Sequence, residues 1–289
     1  MGANLSEKTE LYIFCDGPKE NATTEQLNLI AQVREIIKEN RNFKNVILKF
    51  SDINKGLGKS IIEGVSFVLK EHESVIVLED DHVVHQDFLE FMNYYLNNYR
   101  NEKRVMHIGS FSRNSYLQFL LPRVFFTRYM DCWGWATWRD RWGMLSLDYN
   151  LFSDYFSIEF NRNLYNFNKL DHHTYLEKNI DEISTWAVFW HSTIAIHNGL
   201  CLMPRFSYVN NIGNDGSGSN EVLKTKVIAS NFIGKFKPKQ IDVSESKLGE
   251  YYIKDAYAKR SKKRFNRIKS MFHDFFARAR NFLIRPNKK

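Results

Sequence analysis

Between residues 11 and 109, short apolar runs of strand length alternate with stretches of helical period, and this alternation constrains the fold more than any other feature of the chain. Leu11-Tyr12-Ile13-Phe14-Cys15, Val46-Ile47-Leu48-Lys49-Phe50, Val75-Ile76-Val77-Leu78 and Val105-Met106-His107-Ile108-Gly109 read as strands. Between them, Leu27, Ile30, Val33 and Ile37 mark one helix, Ile61, Ile62, Val65 and Val68 a second, and Phe88 to Tyr99 a third. This order implies an α/β fold with a doubly wound, mostly parallel sheet flanked by helices. Such sheets bind ligands at the carboxyl ends of their strands.

The third strand runs directly into Glu79-Asp80-Asp81. Three acids at one strand end repel each other unless a cation or a ligand's polar groups offset them. A hard divalent ion, Mn²⁺ or Mg²⁺, with Asp81 as principal ligand is one reading; an acidic cap on the following helix is the other. Two turn segments precede it. Asp16-Gly17-Pro18 ends the first strand and suits an Asx turn, and Asn54-Lys55-Gly56-Leu57-Gly58-Lys59 opens the second helix, where Lys59 reads as a phosphate contact or a solvated surface lysine.

After residue 120 the character changes. Asp131-Cys132-Trp133-Gly134-Trp135-Ala136-Thr137-Trp138 holds three tryptophans in eight residues, which suits either core packing or a flat wall for a sugar, with Trp133 and Trp135 as candidates. A helical pattern returns over Trp186–Ile196, and a Gly/Asn/Ser loop follows at Asn210–Asn220. His82, His85, His107, His191 and His197 have no ligand spacing and read as structural.

Charge is divided unevenly. Of 41 Lys and Arg, 12 fall in residues 259–289 against a single acid, Asp274, so that stretch carries +11 and the first 258 residues −3. Nucleic acid is therefore not an expected partner of the folded part. Phe265, Ile268, Phe272, Phe275, Phe276, Ala279 and Leu283 fall on one helical stripe among the basic residues, as expected of a helix lying on an anionic membrane surface or, alternatively, docked on the domain. Three scattered cysteines (Cys15, Cys132, Cys201), the lack of a signal-peptide pattern and the lack of an 18-residue apolar run point to a cytoplasmic protein, peripheral on the inner face of the membrane. The expected division is a domain over 1–235, with a nucleotide-binding part at about 10–110 and an acceptor part at about 120–220. A connector at 236–258 and the basic helix at 259–289 complete it.

Five segments in order, Asp16-Gly17-Pro18, Asn54-Lys55-Gly56-Leu57, Val77-Leu78-Glu79-Asp80-Asp81, Trp133-Gly134-Trp135-Ala136-Thr137-Trp138 and Asn211-Ile212-Gly213-Asn214-Asp215-Gly216-Ser217-Gly218, resemble bacterial GT-A fold sugar transferases related to the N-acetylglucosaminyltransferase with a Glu-Asp-Asp metal motif. The resemblance spans about residues 10–220. It implies a metal-dependent, inverting glycosyltransferase that moves a sugar from a UDP-linked donor to a surface polysaccharide or lipid-linked glycan. It further implies Asp81 on the metal, Glu79 or Asp80 on ribose hydroxyls, Asp16 on the nucleobase and Trp186 on the acceptor side.

Three departures accompany it. The family starts with a further strand and helix ahead of the strand at Leu11, where this chain has about ten residues. It carries an acid, its base, one or two residues before the tryptophan matching Trp186, where this chain has Ser184 and Thr185. It often ends the glycine-rich loop in His, where this chain has Asn220. Asp181, Glu182 and then Asp215 are the replacement base candidates. A relative that keeps fold and binding without turnover is the competing expectation.

Overall fold

Every apolar run named above forms a strand. The structure, a computed structural model, describes residues 3–39, 42–165, 172–179, 183–213, 231–232 and 234–257. Its strands are β1 (Glu10–Cys15), β2 (Asn45–Phe50), β3 (Ser74–Val77), β4 (His82–Val84), β5 (Val105–Gly109), β6 (Val124–Thr127), β7 (Trp135–Trp138), β8 (Leu200–Pro204) and β9 (Val209–Asn211). Its α-helices are α1 (Thr24–Lys38), α2 (Gly56–Glu71), α3 (Phe88–Asn98), α4 (Arg139–Trp142), α5 (Tyr149–Ser157), α6 (Glu159–Tyr165), α7 (His172–Glu177), α8 (Ala187–Ile196) and α9 (Lys247–Tyr257). Local signals set the ends of several. At the start of α1, the Thr23 hydroxyl accepts from Gln26 N–H while the Gln26 side chain accepts from Thr23 N–H, a reciprocal capping box.

The sheet is mixed rather than mostly parallel. Its order is β3-β7-β5-β8-β6, and only β5 and β8 run parallel within it. β1 and β2 pair with each other, parallel, as a separate two-stranded sheet. The expected parallel neighbour of β3 is replaced by β7, which comes from the tryptophan-rich segment. β7 reaches the β3 edge because its side chains alternate into the two apolar layers: Trp135 joins the layer under α2 and α8, while Ala136 and Trp138 join the layer under α3.

Those two layers are the core. One packs Phe88, Phe91, Met92 and Tyr95 of α3 on Val105, Ile108, Leu200 and Leu202. The other packs Val65 and Leu69 of α2 and Trp190 and Ile194 of α8 on Met106, Trp135 and Cys201. All residues of β5 and β8 are buried, as befits the centre of a sheet covered on both faces. In β5 the register against β8 shifts between Val105 and His107, and this bulge places a histidine rather than an aliphatic side chain against Trp135 and Trp190.

The chain divides into two compact units, Met1–Ala256 and Tyr257–Lys289, so the boundary expected at 235 moves. Most of 236–258 is not a connector. Tyr99 Oη donates to Ile241 O (2.8 Å) and accepts from Ile241 N–H (3.0 Å), Tyr95 Oη donates to Lys239 O (3.1 Å), and Phe236 packs on Phe91 and Tyr95. Tyr252 and Ile253 of α9 are buried, and Tyr252 Oη donates to Arg113 O (2.7 Å). Aromatic side chains of α3, and that of Tyr99 just beyond its end, thus bind this stretch into the first unit. No helix among the described residues is long and apolar enough to cross a membrane. Residues 259–289 lie outside the described residues.

Candidate functional site

The acids do not cap a helix. They form the turn between β3 and β4, closed by His82 N–H donating to Glu79 O (3.2 Å) and by Glu79 N–H donating to His82 Nδ1 (3.0 Å). β4 then pairs antiparallel with β9, which brings the first residues of the Gly/Asn loop to the turn. Ile212 N–H donates to Asp81 O (2.9 Å), and Asn211 Nδ2 donates to Asp81 Oδ2 (2.8 Å). Asn211 Oδ1 accepts from Gly213 N–H (2.9 Å) and so fixes the loop's path. Gly213 lies so close that a Cβ on it would sit 2.5 Å from Asp81 Oδ2.

The electrostatics of this turn are unbalanced. Among the described residues, no Lys or Arg forms an ion pair with Glu79, Asp80 or Asp81. Burial, followed by the charges of Asp81, Asp80 and Asp131, pushes the Glu79 carboxyl up to about 7. Burial pulls the His82 imidazole below its ordinary value, with Asp81 and Asp80 opposing. Because His82 Nδ1 accepts from a backbone N–H, the neutral ring carries its proton on Nε2. That nitrogen stands 3.4 Å from Asp81 Oδ1, and neither buried atom has a hydrogen bond among the described residues. Asp80 is exposed.

A divalent cation fits these residues in one respect and is constrained in another. A bare buried carboxylate oxygen beside acids that no described Lys or Arg pairs with is the donor chemistry of Mg²⁺ or Mn²⁺ sites. Yet no set of three or more His, Cys, Asp or Glu among the described residues converges to hold an ion. A cation at Asp81 would take its remaining oxygens from a ligand or from water.

The tryptophans separate. Trp133 is half-buried, with its ring 6.4 Å from His82 and edge-on to Phe111 at 4.5 Å, so it borders the acid turn. Between the two indoles, Gly134 adopts φ 64°, and a Cβ there would meet Ser110 Oγ at 2.5 Å. That left-handed kink turns Trp135 inward. Trp135 and Trp186 are each 1% exposed and stack on one another at 4.6 Å and 21°, so both are core residues and neither forms a sugar-facing wall.

Asp16 does the work of a turn. Its carboxylate accepts from the N–H groups of Gly17, Lys55 and Gly56 at 2.9 to 3.0 Å, tying β1 to the start of α2. Two motifs 40 residues apart are thereby one structural unit. Lys59 is exposed on the first turn of α2, and no described contact brings it to the acid turn. Where the family carries its base, Ser184 N–H and Oγ and Thr185 N–H all donate to Oδ1 of buried Asn179 (2.8 to 3.1 Å), which shapes the entry to α8. Asp181, Glu182, Asp215 and Asn220 lie outside the described residues.

Sequence reasoning missed four participants. His82 was set aside because it has no ligand spacing, yet it backs Asp81. Asn211 and Gly213 were noted only as parts of a motif. Buried Asp131, whose Oδ1 accepts from Trp133 N–H (3.0 Å), contributes to the charge that raises Glu79. An acid next to the tryptophan run was the available signal. Compared with known proteins, the chain matches no family model and no curated protein sequence.

Proposed function

We propose that this chain is a metal-dependent glycosyltransferase of GT-A type, taking a UDP-linked sugar to a glycan or lipid-linked glycan acceptor. The observation that carries the reading is the acid turn, joined by β4–β9 pairing to the Asn211-Ile212-Gly213 segment; among the described residues no Lys or Arg pairs with it and the inner oxygen of Asp81 has no hydrogen-bond partner. The ordered motif resemblance supplies the reaction class. When bound, Mn²⁺ or Mg²⁺ would supply positive charge against the departing diphosphate. Asp81 would hold the ion. Asp80, exposed, would accept from ribose hydroxyls, with Glu79 beside it on the same turn. Trp133 borders the turn and offers the indole face for the sugar. The base remains assigned to Asp181, Glu182 or Asp215 by sequence alone.

A second reading, binding without turnover, is favoured by one observation: Ser184 and Thr185 are consumed by Asn179 at the place the family gives to its base. Calorimetry with UDP and Mn²⁺ tests the shared premise. Affinity for UDP is expected to depend on Mn²⁺ in the native chain and to lose that dependence in Asp81→Ala. Unchanged metal dependence removes Asp81 from the site. UDP-sugar hydrolysis by a chain that passes this test separates turnover from binding alone.

The basic stripe of 259–289 extends the proposal to location, on the inner face of an anionic membrane where such acceptors are presented. Each Lys or Arg near that surface contributes on the order of 1 kcal/mol, screened by salt. Sedimentation with anionic vesicles at low salt should carry down the full chain but not one lacking 259–289. Equal behaviour of the two rejects the anchor.

A further inference from the structure

Asp81 has two unlike oxygens. Oδ1 is shut off from solvent and faces His82 Nε2, while the carboxylate as a whole keeps 32% of its side-chain surface. The open side of the group is therefore that of Oδ2. Oδ2 already accepts from Asn211 Nδ2 at 2.8 Å, and Gly213 leaves beside it the space that any Cβ would fill. His82 is fully enclosed, with no exposed side-chain surface. Its Nε2–H has no acceptor among the described residues other than the oxygen 3.4 Å away, longer than the roughly 2.7–2.9 Å of a charge-assisted bond. A buried donor left short of a buried acceptor is costly, and a small rotation of the carboxylate closes the gap.

We infer that His82, Asn211 and Gly213 are positioning residues that make Asp81 a one-oxygen ligand, with Oδ1 anchored on the His82 N–H and Oδ2 presented to the cation. This rests on the reading of Asp81 as the metal-holding residue. His82 holds the group from behind, Asn211 sets its rotation, and Gly213 keeps the presented oxygen uncovered. Outer partners of this kind change metal affinity by about 10–100-fold when removed.

The test uses the full chain with Mn²⁺ and UDP, and reads free Mn²⁺ by electron paramagnetic resonance. His82→Phe, which keeps the ring and removes the donor, should weaken Mn²⁺ binding by about 10–100-fold. His82→Gln, whose amide N–H reaches a similar place, should recover it. Gly213→Ala should weaken it as well, through the added methyl over Oδ2. ¹⁵N spectra of the metal-free native chain should show His82 neutral with its proton on Nε2, a readout independent of whether the variants fold. A His82 protonated on Nδ1, a His82→Phe chain that binds like the native one, or a His82→Gln chain as weak as His82→Phe overturns the inference and leaves Asp81 in place. A native chain that binds no Mn²⁺ with UDP, or an Asp81→Ala chain that binds it equally, overturns the metal reading and this inference together.

Discussion

His107 and His191 are held uncharged inside the first unit. His107 stacks on Trp135 and is bonded through Nε2 to Asp131 O (3.1 Å); His191 Nε2 meets Arg128 O (3.0 Å). Burial pulls them down to about 3 and about 4, from an ordinary value of 6.5. Below pH 6.5 the unfolded chain therefore takes up protons that the folded chain refuses. Their stabilising effect is complete above pH 6.5 and is lost as pH falls toward 4, by up to about 1.4 kcal/mol per pH unit for each histidine. Urea midpoints between pH 7 and 4.5 check this. His191→Gln keeps a donor for Arg128 O and should flatten the acid limb by one histidine's share.

At the scale of elements, the stretch from 235 to 257 is secured by hydroxyls. Tyr99 Oη serves both the N–H and the C=O of Ile241, so Tyr99→Phe leaves two backbone groups without their partner. A loss of about 1–3 kcal/mol in unfolding free energy is expected, read as a lower denaturant midpoint. A shift within error would show that water replaces the hydroxyl. This stretch also marks what local sequence does not reveal. Apart from the three-residue β4, the helices and strands over 10–110 were legible because apolar spacing is a local property. That β3 would pair with Trp135–Trp138 rather than with β1 or β2 was not, since a strand's partner is chosen by distant residues. The four-residue Trp135–Trp138 strand is too short for its period to show against aromatic bulk. At the site, the acids and Trp133 were legible, whereas His82, Asn211 and Gly213 acquire a role only through β4–β9 pairing.

Across the whole first unit, burial is unequal. The five-stranded sheet has helices on both faces, but α1 has no buried residue, and Leu27, Leu29, Val33 and Ile36 are 45%, 54%, 48% and 69% exposed. A helix this weakly covered, beside a two-stranded parallel pair, belongs to the low end of local stability. Hydrogen exchange should therefore be fastest over β1, α1 and β2 and slowest in β5 and β8. Uniform protection across 10–110 would contradict this. Val33→Lys and Ile36→Lys should stay within about 0.5 kcal/mol of the native stability, since neither removes a buried contact.

Asp87, the 3%-exposed residue before α3, receives Asn4 Nδ2 on one oxygen (3.0 Å) and Phe236 N–H on the other (2.6 Å). A single carboxylate thus joins positions 4 and 236. During synthesis at roughly 5–20 residues per second, residues 4 to 87 wait on the order of ten seconds for the partner that completes this bond. Until Phe236 has emerged from the ribosome, the Phe91 and Tyr95 rings it covers remain open to solvent. Slower translation of residues 100–236 would lengthen that exposure.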